Sequence, residues 1–130
     1  MLDHVRLPVK DLDASRKFYE QVLGTFGAKV VMEWPGLVIF GNDDGMLALG
    51  SSDEVAPMHV AFKADRDGVQ RFYETALGAG GTDNGGPGVR SDVHPNYYAA
   101  FVYDLHRNNV EAVWHAPESV TDAPRRDRAL

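Results

Sequence analysis

Cysteine is absent from this chain of 130 residues. Its absence excludes disulfide bonds and any chemistry that needs a thiolate, and it favours a cytoplasmic location. Long apolar runs are absent as well, since no stretch approaches the roughly 18 residues that a membrane-spanning helix requires. The first ten residues, MLDHVRLPVK, contain no apolar segment of the kind found in signal peptides. The sequence therefore predicts a cytoplasmic protein with no membrane partner.

Positive charge is scarce. The chain has 13 Lys and Arg residues against 19 Asp and Glu residues, which gives a formal net charge of −6. The one basic cluster, at residues 125–128, is interrupted by Asp127. Binding to nucleic acid depends on a broad basic surface, so we expect no nucleic acid partner. The length and the hydrophobic fraction of 44% are typical of a single domain with its own core.

Two stretches of the chain, residues 4–24 and residues 59–78, are similar to each other. Both begin with His-Val, contain Phe-Tyr-Glu and end with Leu-Gly, and one deleted residue aligns them. A repeat of this length is typical of one supersecondary unit that is built twice and packed against itself. Because His4 and His59 open the two copies, a site formed between the copies could receive both histidines.

Hydrophobic periodicity predicts the order β-α-β-β-β in each copy. In the first copy we expect strands at residues 4–9, 29–33, 37–40 and 46–49, and a helix that follows Asp11 or Asp13 and ends at Gly24. In the second copy we expect strands at residues 58–64, 97–103 and 110–115, and a helix that follows Asp65 or Asp67 and ends near Leu77. The glycine-rich residues 81–90 are expected to form a long loop or a short irregular strand.

These patterns predict an α+β fold of two βαβββ modules, with module one at residues 1–50 and module two at residues 57–116. Together the modules are expected to form a single domain over residues 1–116. Their curved mixed sheets would enclose a central cavity for a metal or a ligand. Residues 117–130 are polar and show no periodicity, so we expect a flexible tail there.

Three residues with metal-binding side chains share one face of the predicted sheets. Side chains alternate across a strand, so His4, His59 and Glu111 lie opposite the apolar face that packs under the helices. A lone histidine on a strand is more often a half-buried polar residue than a ligand. Here two histidines recur at matching positions, and two imidazoles with one carboxylate form a set that binds Fe, Mn, Zn or Ni. We therefore predict a divalent metal site, and the residue types leave the metal's identity open.

Two further polar side chains are candidates for contact with a small-molecule substrate. Arg6 shares the face of His4 and could hold a carboxylate or phosphate, with a surface salt bridge as the alternative. His115 lies at a strand end on the face of Glu111, where it could line the rim of the cavity. Both are therefore predicted to bind substrate.

Acid–base groups are expected where the strand at residues 97–103 begins. His94 and Tyr98 are the candidates, because a histidine or tyrosine beside a metal can transfer a proton or orient a bound oxygen. Tyr97 and Tyr98 point to opposite faces, and alternation alone leaves open which of them faces the cavity. The alternative for His94 is an ordinary loop histidine before Pro95.

Three segments carry a resemblance to a known family. They are DHVRLPVKDLDASRKFYEQVLG, MHVAFKADRDGVQRFYETALGAGG and HPNYYAAFVYDLHRNNVEAVWH. Over about residues 2–116 the chain resembles the glyoxalase/bleomycin resistance/dioxygenase family of the vicinal oxygen chelate superfamily. The resemblance implies sheets that curl into a partly closed barrel around a divalent metal held by His4, His59 and Glu111. It also implies a homodimer, in which a site can take its ligands from one chain or from two.

The resemblance further implies a metal-dependent enzyme, either a lyase or isomerase or an extradiol-type dioxygenase, whose small substrate chelates the metal through oxygen. Glyoxalase I-like members take a fourth ligand, normally glutamate, from the last strand of module one. That strand reads MLALG here and has no carboxylate near Leu47 or Ala48, so lactoylglutathione lyase activity is not expected. The alternative function is that of a metal-free dimeric protein that sequesters a bulky ligand such as an antibiotic.

Overall fold

The computed structural model describes residues 1–117. In chain order the elements are β1 (His4–Val9), α1 (Leu12–Gly24), β2 (Lys29–Trp34), β3 (Leu37–Asn42), β4 (Gly45–Ser51), β5 (His59–Lys63), α2 (Arg66–Gly78), β6 (Thr82–Asp83), β7 (Gly88–Val89), β8 (Tyr97–Tyr103) and β9 (Asn109–His115). The tail predicted for residues 117–130 lies, apart from its first residue, outside the described residues. Over residues 1–117 no helix has the length and apolar character needed to cross a membrane.

The strands form two mixed sheets, one in each module, as predicted. The first sheet has the order β1-β4-β3-β2, and the second has the order β5-β9-β8-β6 with β7 also paired to β8. In each sheet the first strand of the module runs parallel to the last strand, and the other pairings are antiparallel. β1 and β5 are therefore edge strands within the described chain. The two sheets and two helices confirm the predicted α+β class.

The main departure from the predicted elements is the glycine-rich segment at residues 81–90. It forms two strands of two residues each, β6 and β7, which both pair with β8. Glycine contributes no side chain to pack on a sheet, and Pro87 has no N–H to donate, so a longer strand is not supported between them. Both predictions for this segment, a loop or a short irregular strand, are thus partly met.

Each helix begins at the earlier of the two aspartates that the sequence offered as caps. The side chain of Asp11 accepts a hydrogen bond from the backbone N of Ala14 at 3.0 Å, and that of Asp65 accepts one from the backbone N of Gly68 at 2.6 Å. A carboxylate at this position satisfies a backbone donor that has no partner inside the helix. The next aspartate in each copy lies in the first turn of its helix, where it complements the helix dipole.

The core lies between the sheets and the two helices, which pack against each other. Phe26, in the turn that follows α1, joins the modules by contacting Phe62 and Phe72, with ring centroids 5.4 and 5.9 Å away. A buried polar contact adds to this interface, because the hydroxyl of Tyr19 donates to Asp104 at 2.5 Å. With the helices on one face of each sheet, the opposite face is left to form a site.

Candidate functional site

The centre of the candidate site is the carboxylate of Glu111 in the middle of the second sheet. On β9 it lies opposite Ala61 of β5 and Phe101 of β8, so its side chain shares a face with His59 and Tyr97. This is the face turned away from α2. Glu111 is 1% exposed, which is unusual for a glutamate and requires partners for its charge.

Both carboxylate oxygens of Glu111 have a partner. Oε1 lies 3.0 Å from Nε2 of His59, and Oε2 accepts a short hydrogen bond from the hydroxyl of Tyr97. The sequence predicted that His59 and Glu111 would lie on one face, and the structure places them in direct contact.

The hydrogen bond made by Nδ1 of His59 determines whether Nε2 carries a hydrogen or a lone pair in the neutral ring. Nδ1 lies 2.9 Å from the backbone O of Asn109. A carbonyl oxygen only accepts, so Nδ1 carries the hydrogen. In the neutral ring Nε2 then presents a lone pair towards a carboxylate, which is repulsive unless a proton or a cation lies between them. A histidine whose far N–H is fixed by a backbone carbonyl is also the usual arrangement of a metal ligand. Either a proton on Nε2 or a cation between the two groups would therefore satisfy the pair, and His59 and Glu111 are residues that could hold a divalent cation.

Tyr97, and not Tyr98, faces this site. Burial, followed by the hydrogen bond to Glu111, raises the pKa of Tyr97 to about 12, so its hydroxyl remains a donor at neutral pH. Tyr98 points to the helix side, is 8% exposed and accepts a hydrogen bond at 2.9 Å from Nε2 of Gln70 on α2. The prediction of Tyr98 as an acid–base group is corrected here, because the pairing of Phe101 with Glu111 puts the odd-numbered residues of β8 beside the carboxylate.

His4 does not join the pair within one chain. It belongs to the first sheet, its side chain is 59% exposed, and its Nδ1 lies 2.6 Å from Oδ1 of Asp3. Among residues 1–117 no three His, Cys, Asp or Glu side chains form a cluster that could hold a metal ion. One chain alone thus supplies two of the three predicted ligands at one place.

Arg6 lies on the free face of the first sheet, as predicted. Its guanidinium crosses Gly50, where a Cβ would lie only 2.4 Å from Nε. Opposite it on β4 is Ala48, while Leu47 is buried in the core. The β4 position on the free face is therefore that of Ala48, and it carries no carboxylate.

The two remaining candidates, His115 and His94, lie near the start of β8. His115 is opposite Tyr97, and the two rings meet edge to face with centroids 5.2 Å apart. His94 lies in the turn before β8, where its Nδ1 accepts a hydrogen bond from the backbone N of Asn96 at 3.1 Å. That hydrogen bond occupies the lone pair of Nδ1, so Nδ1 does not act as a base in this turn.

Arg90 was not among the predicted residues, yet it lies on the same face. Its guanidinium is 5.3 Å from the ring centroid of Phe101, and the ring of His59 stacks on the same phenylalanine at 6.3 Å. Arg90 was missed because it falls in the glycine-rich segment, which the sequence assigned to a long loop or a short irregular strand without a defined face. The available signal was the alternation of Gly88 and Arg90, which puts both on one face of a strand.

A cleft of about 540 Å³ lies between the modules beside the edge of β5. Its lining includes His4, Phe26, Phe62 and Lys63. The cleft thus borders the predicted ligand of module one, whereas the His59–Glu111 pair lies outside its lining.

Comparison with known proteins identifies the architecture. Residues 1–101 match the sequence model of the Glyoxalase/Bleomycin resistance protein/Dioxygenase superfamily. A glyoxalase/bleomycin resistance protein from Albidiferax ferrireducens has a similar structure, with a TM-score of 0.79, 24% identity, and coverage of 88% of this chain and 98% of that one. None of the curated proteins compared with the chain matches it.

Two further solved structures share the fold. A lactoylglutathione lyase from Agrobacterium tumefaciens has a TM-score of 0.69 and 24% identity, with 88% of this chain and 92% of that chain covered. A fosfomycin resistance protein from Mesorhizobium loti has a TM-score of 0.68 and 22% identity, with 95% and 96% covered. At these identities the likeness establishes the fold and not the activity. The sequence match and the shared fold together show that the chain belongs to the glyoxalase/bleomycin resistance protein/dioxygenase superfamily.

Proposed function

We propose that the protein is a metal-dependent enzyme that acts on a small oxygen-bearing substrate. The observation that carries the proposal is the arrangement of His59, whose Nδ1–H is held by the Asn109 carbonyl while Nε2 faces the buried carboxylate of Glu111. A divalent ion held there would act as a Lewis acid on a substrate carbonyl or hydroxyl, or would activate dioxygen. Either role is compatible with a lyase, an isomerase or an extradiol-type dioxygenase.

The residues around the pair have separate roles in this proposal. Tyr97 fixes the orientation of Glu111 through its hydrogen bond. His115, next to Tyr97, lines the rim where substrate would enter. With Ala48 on the free face of β4, that strand supplies no carboxylate as a fourth ligand, and lactoylglutathione lyase activity is not part of the proposal.

The third ligand, His4, would come from a second copy of the chain. Within one chain His4 lies apart from the pair, and both β1 and β5 are edge strands. An edge strand exposes backbone donors and acceptors that a second copy can pair with or cover. A two-fold dimer would use the same contact twice and would complete two identical sites, each with His4 from one chain and the pair from the other.

Metal content tests the ligand set. Protein purified without chelators is expected to hold stoichiometric divalent metal, and His59→Ala and Glu111→Gln are each expected to lose it. His115→Ala is the matched control, because it removes a histidine from the same face of the same sheet and should leave the metal in place. A wild-type protein that takes up no divalent ion, with or without added metal, would contradict the proposal.

Mixing two inactive variants tests the shared site. His4→Ala and Glu111→Gln chains, unfolded together and refolded, form some mixed dimers, and each mixed dimer regains one site with all three ligands. Metal content and activity should then exceed those of either variant refolded alone. If all three ligands came from one chain, mixing would restore nothing.

A metal-free binding protein is the second candidate. A proton on Nε2 of His59 would satisfy the pair with Glu111 as well as a cation does, and the cleft between the modules can accept a ligand. Tight binding of a bleomycin-like ligand by chelator-treated wild-type protein, together with no metal uptake, would favour this function over the first.

A further inference from the structure

Arg90 is positioned on the site face by the pairing of β7 with β8. Gly88 lies opposite Ala99, and Val89 lies opposite Tyr98. The backbone N of Arg90 continues this ladder by donating to the O of Tyr97 at 2.7 Å. Because paired residues share a face, the side chains of Arg90 and Tyr97 start on the same side of the sheet. That is also the side of Glu111.

Two glycines leave the space that the guanidinium of Arg90 occupies. A Cβ on Gly88 would lie 3.1 Å from Nη1, and a Cβ on Gly85 would lie 3.1 Å from Nη2. Gly85 also has a φ of +135°, which side-chain-bearing residues rarely adopt. The glycine-rich segment therefore has a specific structural role, which is to seat one cation over the sheet.

The charge of Arg90 has no acidic partner in the described part of the chain. Within residues 1–117 its one hydrogen bond runs from Nη2 to the backbone O of Gly86 at 2.6 Å, and none of the ion pairs includes it. Arg90 is half-buried as a residue, and its guanidinium lies over the ring of Phe101. A positioned, partly desolvated guanidinium with unused N–H donors is well suited to bind a carboxylate or phosphate, often through two parallel hydrogen bonds.

We infer that Arg90 binds an oxyanion of the substrate, so that the enzyme acts on an acid. The ring of Phe101 contacts both the Arg90 guanidinium and the His59 imidazole. Because β8 lies between β7 and β9, the cation and the His59–Glu111 pair lie on the same face of the sheet, on either side of Phe101. A substrate with its reacting oxygens at the pair and its acid group at Arg90 would be held at two points. The inference deepens the proposed function and rests on it, and it limits the substrates to carboxylates, phosphates and phosphonates.

Anion binding by chelator-treated full-length protein tests this inference without relying on the metal. Methylphosphonate and acetate are titrated separately while the side-chain Nε–Hε signal of Arg90 is followed by NMR, with Arg90→Lys used to assign that signal. A saturable shift with either anion supports the inference, and the anion that binds more tightly identifies the kind of acid. No saturable shift with either anion would overturn it.

Three variants separate a specific site from general surface charge. Arg90→Gln should weaken the tighter anion about tenfold or more, since a charged hydrogen bond contributes about 1.5 to 3 kcal/mol. Gly88→Val should weaken it too, because it keeps the charge but fills the space under the guanidinium. Arg66→Gln is the matched control, because Arg66 stacks on Tyr98 at 5.1 Å on the opposite face of the same strand, and it should leave affinity unchanged.

Metal content measured on the same variants distinguishes the two proposals. Arg90→Gln should retain its divalent ion while losing anion binding. Anion binding that persists in Arg90→Gln contradicts the role of Arg90 even if the metal is present. Absence of metal together with Arg90-dependent anion binding contradicts the metal site and leaves the role of Arg90 standing.

Discussion

The buried carboxylate of Glu111 depends on two hydrogen-bonding partners. His59 lies at the open side of the site, and its side chain is 51% exposed. Tyr97 donates its hydrogen bond from the neighbouring strand β8. A buried acceptor that loses its donor costs more than the net value of one hydrogen bond, because the desolvation of the charge is no longer offset. The tyrosine is therefore expected to matter for stability as well as for chemistry.

Tyr97→Phe is expected to lower the free energy of unfolding of the metal-free protein by about 1 to 3 kcal/mol, since it leaves Oε2 of Glu111 without a donor. Tyr98→Phe is the matched control, because its hydroxyl only accepts from Gln70, an exposed side chain that can turn to water. Urea denaturation followed by tryptophan fluorescence measures both. Equal costs for the two variants would contradict the assignment of Tyr97 to the site.

The raised pKa of Tyr97 also predicts how stability depends on pH. In the folded protein Tyr97 keeps its proton up to a pKa of about 12, whereas in the unfolded chain it releases the proton near the ordinary value of about 10. Its contribution is fully present below pH 10 and is lost as pH rises towards 12, because there the unfolded state binds fewer protons than the folded state. Denaturation measured from pH 9 upwards should show that the free energy of unfolding falls less steeply with pH in Tyr97→Phe than in the wild type. Parallel curves would contradict this.

At the scale of elements, the residue that caps a helix decides where the helix begins. Asp65 and Asp67 both precede the apolar run of α2, but only the first has extended backbone geometry and accepts from Gly68. The second lies inside the first turn and contributes only through the helix dipole. An N-cap therefore differs from a first-turn acid in how much it stabilises the helix.

Asp65→Ala should lower the free energy of unfolding by about 0.5 to 2 kcal/mol, the usual cost of removing an N-cap acceptor. Asp67→Ala, which removes the same charge two residues later, should cost less. Thermal denaturation of both variants at one salt concentration checks the difference. A larger loss of stability in Asp67→Ala than in Asp65→Ala would contradict the assignment of Asp65 as the N-cap.

The glycine-rich segment is the element that the sequence described least well. Its glycines suggested a loop with a possible function, but not which function. The structural role of Gly85 and Gly88 is evident only from their closeness to the side chain of Arg90. That closeness depends on how β7 pairs with β8. A pairing between residues about ten positions apart is set by register, and composition carries no information about register.

At the scale of the whole molecule, the two sheets are joined through their helices and not through shared strands. The contact of Tyr19 with Asp104 crosses this interface, with Tyr19 fully buried and Asp104 4% exposed. Nearby, Nε2 of His106 accepts from the backbone N of Lys10 and of Asp11 at 3.2 and 3.3 Å, so the turn between β8 and β9 also holds the start of α1. These contacts fix how the modules sit against each other.

Tyr19→Phe should therefore destabilise the whole molecule by about 1 to 3 kcal/mol, since it removes a donor from a buried carboxylate. Tyr73→Phe is the matched control at the equivalent position of the repeat, where the hydroxyl donates to the exposed Asp83 at 2.9 Å, and it should have a much smaller effect. Chemical denaturation of both variants measures the difference. Equal effects would show that the Tyr19 contact does not hold the modules together.

The sequence predicted the two modules, both helices and the free face of the sheets, because these depend on local periodicity. It also placed His59 and Glu111 on one face. It named Tyr98 as an acid–base candidate but left open whether Tyr97 or Tyr98 faces the cavity, because strand alternation separates the two tyrosines without saying which of them shares a face with Glu111. That choice follows from the pairing of Phe101 with Glu111 across two strands.

The sequence by itself determined the family, the fold class and the kinds of side chain available to a site, since repeats, periodicity and residue types are properties of the chain read in order. Only the tertiary structure decided which groups meet. It brought His59, Glu111 and Tyr97 together, seated Arg90 over Phe101 and left His4 apart in the other sheet. The physical reason is that strand register and module packing are set by contacts between residues that are distant in the chain. The absence of cysteine and of long apolar runs excludes disulfide bonds and membrane-spanning helices, but it does not select among those contacts.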